Sequence, residues 1–192
     1  MGSILEKGIL SFYIGGLESR GNGMKINVDM IKNIKLAIFD FDDTLAIHRD
    51  KDYVAHRNAT GKVNYYKKAF NNPDTFYETI EPCDISEGMY NLICYLRLFN
   101  AKMYCLSGMK MSLHADAKQS FITKHYGSDI KLLSTCTQEG KVDVVKILQE
   151  SFNCKPNEVL FVDDVQMVVD LMREHGYTAI LESDVKGIIP DD

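Results

Sequence analysis

Short apolar runs alternate along this chain with longer stretches whose apolar residues recur every three or four positions. The short runs are Leu36-Ala-Ile-Phe39, Lys102-Met-Tyr-Cys-Leu106, Ile130-Lys-Leu-Leu133, Glu158-Val-Leu-Phe-Val162 and Tyr177-Thr-Ala-Ile-Leu181, five expected strands. In the first, apolar residues point to both faces, as in a parallel strand covered on both sides. Between the runs the period becomes helical. Ile85, Met89, Leu92, Ile93, Leu96 and Phe99 share one face, after a capping-box-like Asp84-Ile-Ser-Glu87 and before a stop at Asn100. Further helices are expected over about 113–126, 142–152 and 166–175, the last ended by Gly176. Strands alternating with amphipathic helices imply right-handed crossovers and an α/β fold, a doubly wound parallel sheet.

One interval breaks this rhythm. Residues 47–82 are polar and show no clean strand, although 65–70 suit a helix. Loops of that length usually serve function, so a small cap inserted after the first core strand is expected here. Residues 1–33 read as an N-terminal extension ahead of a domain over 34–192. Ile9 to Leu17 is apolar but lacks the basic start and small-residue cleavage site of a signal peptide. A polar breaker, Glu18-Ser-Arg-Gly-Asn-Gly23, then precedes Met24-Lys-Ile-Asn-Val, which has the look of a second start. Residues 1–23 are accordingly expected to be an upstream extension, with a flexible arm as the alternative.

Composition narrows the class without changing the picture. The 192 residues suffice for one α/β domain with a full core, and 45% apolar with 26% charged residues is ordinary for a globular protein. A net charge of −5 disfavours general affinity for nucleic acid or membrane while allowing a local basic patch. Cys83, Cys94, Cys105, Cys136 and Cys154 are odd in number and form no C-x-x-C pair. They read as small core residues of a reduced, cytoplasmic protein. No apolar stretch is long enough to cross a bilayer.

The chemistry concentrates at the end of the first strand, where Phe39 is followed by Asp40-Phe-Asp42-Asp43-Thr44. Open α/β sheets place their ligands at the carboxyl ends of strands. Three carboxylates so close repel unless a cation sits among them or one keeps its proton. Mg²⁺ is the natural cation, since it takes oxygen ligands and pairs one or two carboxylates with substrate phosphate. An acidic turn capping the next helix would need one such residue, not three. Two more strand ends carry polar residues, Ser107-Gly108 and Asp163-Asp164, and Lys141 opens the helix before the fourth strand. Each has a plain alternative: a turn pair, an N-cap pair and a solvated first-turn lysine. Lys110 and Lys118 are rival cations nearer to Ser107.

That order of motifs over about residues 35–181 resembles the haloacid dehalogenase (HAD) superfamily of phosphotransferases. The resemblance implies a Mg²⁺-dependent phosphomonoester hydrolase working through an aspartyl-phosphate. It makes Asp40 the nucleophile and Asp42 the acid and base, with Ser107 and Lys141 completing the catalytic set. Thr44, Ser107, Gly108 and Lys141 would bind the substrate phosphate. Asp40, Asp42 through its carbonyl, and Asp164 would hold the metal, with Asp163 in direct or indirect support. Asp42 favours phosphate esters over carbon–halogen bonds, because a dehalogenase needs no second acid. Val168 stands where the family often has a carboxylate or Asn, with Asp170 two positions further on, and Asp43 replaces a common glycine.

Lys141-Val-Asp-Val-Val-Lys146 and Asp163-Asp-Val-Gln-Met-Val-Val-Asp-Leu-Met-Arg173 are similar to the 3′-phosphatase domain of phage polynucleotide kinases. Residues 47–72 carry a net charge of +4 with His48, His56, Tyr53, Tyr65 and Tyr66 interleaved, a mixture suited to a phosphorylated, nucleotide-bearing partner. A nucleotide or nucleic-acid 3′-phosphate end is therefore one expected substrate. The alternatives are a phosphorylated small molecule, such as a sugar phosphate or 5′-nucleotide, and a non-catalytic phosphate-binding module.

Overall fold

The computed structural model describes residues 28–48, 80–83, 88–108 and 113–185. Five parallel strands form the centre: β1 (Leu36–Phe39), β4 (Lys102–Gly108), β5 (Lys131–Thr135), β6 (Val159–Asp163) and β7 (Thr178–Leu181). Their order across the sheet is β5-β4-β1-β6-β7. Leu36 lies beside Lys102 on one side and Val159 on the other, and Phe39 beside Cys105 and Val162. Helices α2 (Met89–Leu98), α3 (Leu113–Tyr126), α4 (Glu139–Ser151) and α5 (Gln166–Glu174) connect these strands. The expected doubly wound parallel sheet is what the chain forms.

Alternation along each strand divides the core into two layers. Ala37, Phe39, Met103, Cys105, Leu160 and Val162 pack with residues of α2 and α3 on one face. Leu36, Ile38, Leu106, Val159 and Phe161 pack with Val145 of α4 and with Val168, Val169 and Met172 of α5 on the other. Every residue of β1 is fully buried, because both faces of a central parallel strand are covered. Val168 is thereby fixed as a core residue. Asp170 is on the exposed side of α5, where Gln166 and Arg173 donate to its Oδ1.

Several boundaries differ from expectation. The stretch after the acidic loop does contain strands: β2 (Ala46–His48) and β3 (Ile80–Pro82) pair antiparallel as a two-stranded ribbon. Three residues are too few to display a period of two, so no pattern announced them. The proposed helix at 65–70, most of the cap and the Asp84–Glu87 box lie outside the described residues. α2 starts after Gly88, whose φ of 113° suits a residue without a Cβ. α4 begins at Glu139 rather than near 142, and a short α6 (Glu182–Val185) follows β7. At the amino end, α1 (Val28–Lys32) places Ile31 and Ile34 in the first core layer. The packed body thus reaches upstream of residue 34.

Candidate active site

The strand order decides where the chemistry gathers. The chain leaves β1 towards β4 and leaves β6 towards β7, so neighbouring β1 and β6 send their following segments in opposite directions. Such a switch point opens a crevice at the strands' carboxyl ends. Asp40 stands at the end of β1, and Asp163 and Asp164 at the end of β6. Ser107 and Gly108 end β4, on the other side of β1.

The loop after β1 is fastened tightly. The Asp40 amide donates to the Val162 carbonyl at 2.8 Å, extending the ladder by one residue. The Phe41 carbonyl accepts from the amides of Thr44, Leu45 and Ala46, and the Asp43 amide donates to the Ala46 carbonyl. This curl requires Asp43 to adopt a φ of 61°, a left-handed conformation that Asp tolerates better than most residues. The position asks for glycine or a short polar side chain, which accounts for the Asp43 variant. Thr44 is fully buried within the curl.

Two buried lysines organise the carboxylates. Lys141, in the first turn of α4, donates to Asp40 Oδ1 at 2.8 Å and to Asp163 Oδ2 at 2.7 Å. Its side chain is 2% exposed. A cation there opposes the helix dipole, and the two carboxylates supply the compensation. Lys118, from the middle of α3, donates to Asp42 Oδ2 and to Ser107 Oγ, both at 2.7 Å. Its ammonium also lies 4.4 Å from the centre of the Phe41 ring. Lys141 therefore serves the β1–β6 side and Lys118 the β1–β4 side. Lys118 was legible only as a rival to Lys141; the fold uses both.

Charge balance explains the electrostatics. Asp40, Asp42 and Asp163 are all buried, against two buried ammonium groups. Burial, aided by the charges of Asp163 and Asp42, pushes the Asp40 carboxyl up to about 7 despite its contact with Lys141. Burial works against the Lys141 ammonium, but Asp40 and Asp163 outweigh it and hold its pKa above the ordinary lysine value. One lysine shared by two carboxylates leaves a deficit of positive charge, and Asp40 carries the penalty. His114, one turn before Lys118 on α3, is held below the usual histidine range by burial and then by the Lys118 charge.

That deficit bears on a metal. Carboxylate oxygens of Asp40, Asp163 and Asp164 all lie within 4.8 Å of one another. Hard oxygen donors beside uncompensated negative charge suit Mg²⁺. Asp163 is already engaged through both oxygens, one by Lys141 and one by the Val165 amide at 2.9 Å. Asp40 and Asp164 would hold the ion, with Asp163 keeping Lys141 beside Asp40. The Asp42 carboxylate is outside this acidic cluster and committed to Lys118.

Other expected residues fall on the same sheet edge. Gly108 is exposed, and among the described residues a Cβ added there would meet nothing within 4 Å. Ser107, by contrast, is fully buried, and its hydroxyl accepts from Lys118. The basic and aromatic residues of 49–72 lie outside the described residues. Below the site, the Tyr126 hydroxyl at the end of α3 donates to the Leu45 carbonyl at 2.7 Å, and the Cys83 carbonyl lies 3.4 Å from it. Both strands of the ribbon are thus tied to α3 at their shared base. None of the five cysteines forms a disulfide; Cys83, Cys105 and Cys154 are buried and Cys94 and Cys136 exposed. Among the described residues no helix is long and apolar enough to cross a membrane.

No protein-family model matches the chain, and no curated protein matches it in sequence. Among solved structures it is similar to a HAD family enzyme from Bacteroides thetaiotaomicron, an Asp-to-Ala mutant in complex with magnesium and inorganic phosphate. That similarity covers 76% of this chain and 92% of the other, at 13% identity and a TM-score of 0.48.

Proposed function

We propose that this protein is a Mg²⁺-dependent phosphomonoesterase of the HAD type, with Asp40 as its nucleophile. The observation that carries the reading is the pairing of buried Asp40 with Lys141 and Asp163 at the switch point of the sheet. A structural salt bridge needs no such cost, because apolar residues would fill the same volume as well or better. Buried, charge-deficient clusters in a crevice are where nucleophiles and acids are found.

Asp40 attacks phosphorus, forming an Asp40–phosphate bond as the ester oxygen departs. Asp42 gives a proton to that oxygen, then takes one from the water that hydrolyses the aspartyl-phosphate, which restores both residues. Lys141 orients Asp40 and supplies positive charge beside the phosphoryl oxygens. A bound Mg²⁺ supplies further charge neutralisation between carboxylate and phosphate. Asp163 keeps Lys141 in place.

The substrate class we infer is a phosphorylated nucleotide or nucleic-acid 3′ end, supported by the net charge of +4 and the interleaved aromatics of residues 47–72. Release of phosphate from p-nitrophenyl phosphate with and without Mg²⁺, for the parent and for Asp40→Asn, tests the chemistry. Metal-dependent release that Asp40→Asn abolishes is expected; no release by the parent would favour a phosphate-binding module. A 3′-phosphorylated oligonucleotide assayed beside mononucleotides and sugar phosphates tests the substrate class. Preference for a sugar phosphate would overturn it.

A further inference from the structure

Among the described residues, Lys118 is the one buried lysine that this mechanism leaves without work. Its side chain is 3% exposed, so the cost of burying its charge must be met by its partners. An ammonium has three donors and accepts nothing. Lys118 directs one donor to Asp42 Oδ2 and another to Ser107 Oγ, and the Phe41 ring lies against the same ammonium. Two of its three donors are thus spent on protein groups. Ser107 is equally inward, fully buried and accepting from Lys118.

We propose, resting on the phosphatase reading above, that Lys118 is a positioning residue which, anchored on Ser107, fixes the Asp42 carboxylate for proton transfer. The geometry gives the device its parts. Asp42 sits in the loop after β1, Ser107 ends β4, and Lys118 projects from α3, so one ammonium ties three separate segments. With Oδ2 held by Lys118, the carboxylate cannot rotate freely about its last torsion, and its other oxygen keeps one direction. A proton donor held on one line to the leaving oxygen transfers faster than one that samples many. Ser107 thereby acts through Lys118, a role different from direct contact with the phosphoryl group.

The proton-transfer step supplies a readout that a merely structural lysine would not move. When Asp40 attacks, the P–O bond to the leaving group breaks and the Asp42 proton goes to that oxygen. An alkoxide needs this proton, whereas p-nitrophenolate leaves well without it. The experiment measures kcat and KM for p-nitrophenyl phosphate and for a simple alkyl phosphate, with saturating Mg²⁺. The proteins are the parent, Lys118→Met and Ser107→Ala. Lys118→Met should lose roughly tenfold or more additional kcat on the alkyl ester relative to the nitrophenyl ester, with little change in KM. Ser107→Ala should shift the same ratio in the same direction by less.

An active parent with an unchanged ratio in Lys118→Met overturns this assignment alone. A parent with no Mg²⁺-dependent turnover overturns the phosphatase reading and this assignment with it. If Lys118→Met does not fold, Lys118→Gln, which keeps a donor without the charge, carries the same comparison. A KM rise with the ratio intact would instead make Lys118 a substrate ligand and refute the positioning role.

Discussion

Replacing Lys141 by Met would remove the charge at the centre of the site while keeping a chain of similar length. In the parent, the ammonium is 2% exposed and lies 2.8 Å from Asp40 and 2.7 Å from Asp163. Its loss leaves two buried carboxylates facing each other with no shared cation. Breaking a buried ion pair on one side costs about 3–5 kcal/mol, a large share of the roughly 5–15 kcal/mol that holds a domain together. With a urea slope of about 2 kcal/mol per molar, the midpoint should fall by roughly 2 M at pH 8 without Mg²⁺.

The pH dependence gives a second handle. The Asp40 pKa of about 7 in the folded protein exceeds its ordinary value of 3.8, so the folded state binds the extra proton. Stability is then full at pH below the unfolded value and is lost as pH rises through 7. For the parent this amounts to about 1 kcal/mol between pH 6 and pH 8. Without Lys141 the same carboxyl is still harder to ionise, so Lys141→Met should lose more over that interval. Urea titrations followed by far-ultraviolet circular dichroism at the two pH values make the measurement. A midpoint shift below about 0.5 M at pH 8, or an equal shift at pH 6 and 8, would refute the account of the cluster.

Three further outcomes follow from the same structure. Protons compete with a cation for Asp40, so Mg²⁺ affinity read by thermal shift should be about tenfold stronger at pH 8 than at pH 6; equal affinities would place the ion elsewhere. Tyr126→Phe removes the donor to the Leu45 carbonyl and should cost about 1–2 kcal/mol in chemical denaturation. Val168→Asp, which places a carboxylate one turn after Asp164, should lower stability by roughly 3 kcal/mol or more rather than strengthen metal binding, because Val168 is fully buried among apolar neighbours; a rise in Mg²⁺ affinity with unchanged melting temperature would contradict this.

The strands and crossover helices were legible because burial on both faces of β1 and β6 leaves an unbroken apolar run. Asp40, Lys141 and Asp163 could be matched to one site because parallel strands bring their carboxyl ends to one edge. What the two lysines hold could not be matched, since it depends on the rotational phase of α3 and α4 against the sheet. A partial signal existed: His114, Lys118, Ile122 and Tyr126 recur every four residues and all are buried. Lys118 on that stripe marks a cation facing inward, which separates it from a solvated lysine. The ribbon strands and α6 are too short to carry a period, and their places are set by tertiary contacts such as the Cys83 thiol donating to Glu182.

The curl at Phe41 and the Tyr126 anchor together insulate the acidic loop from the chain that joins β2 to β3. The loop bearing Asp40 and Asp42 closes on its own backbone, and both ribbon strands are moored at their bases. Chain joining β2 to β3 can therefore lengthen or change composition without disturbing the distance between Asp40 and Asp42. Doubling such an insertion adds only about 0.6 kcal/mol of closure entropy. The loop that carries Asp40 and Asp42 can thus stay fixed while the sequence of residues 49–79 changes.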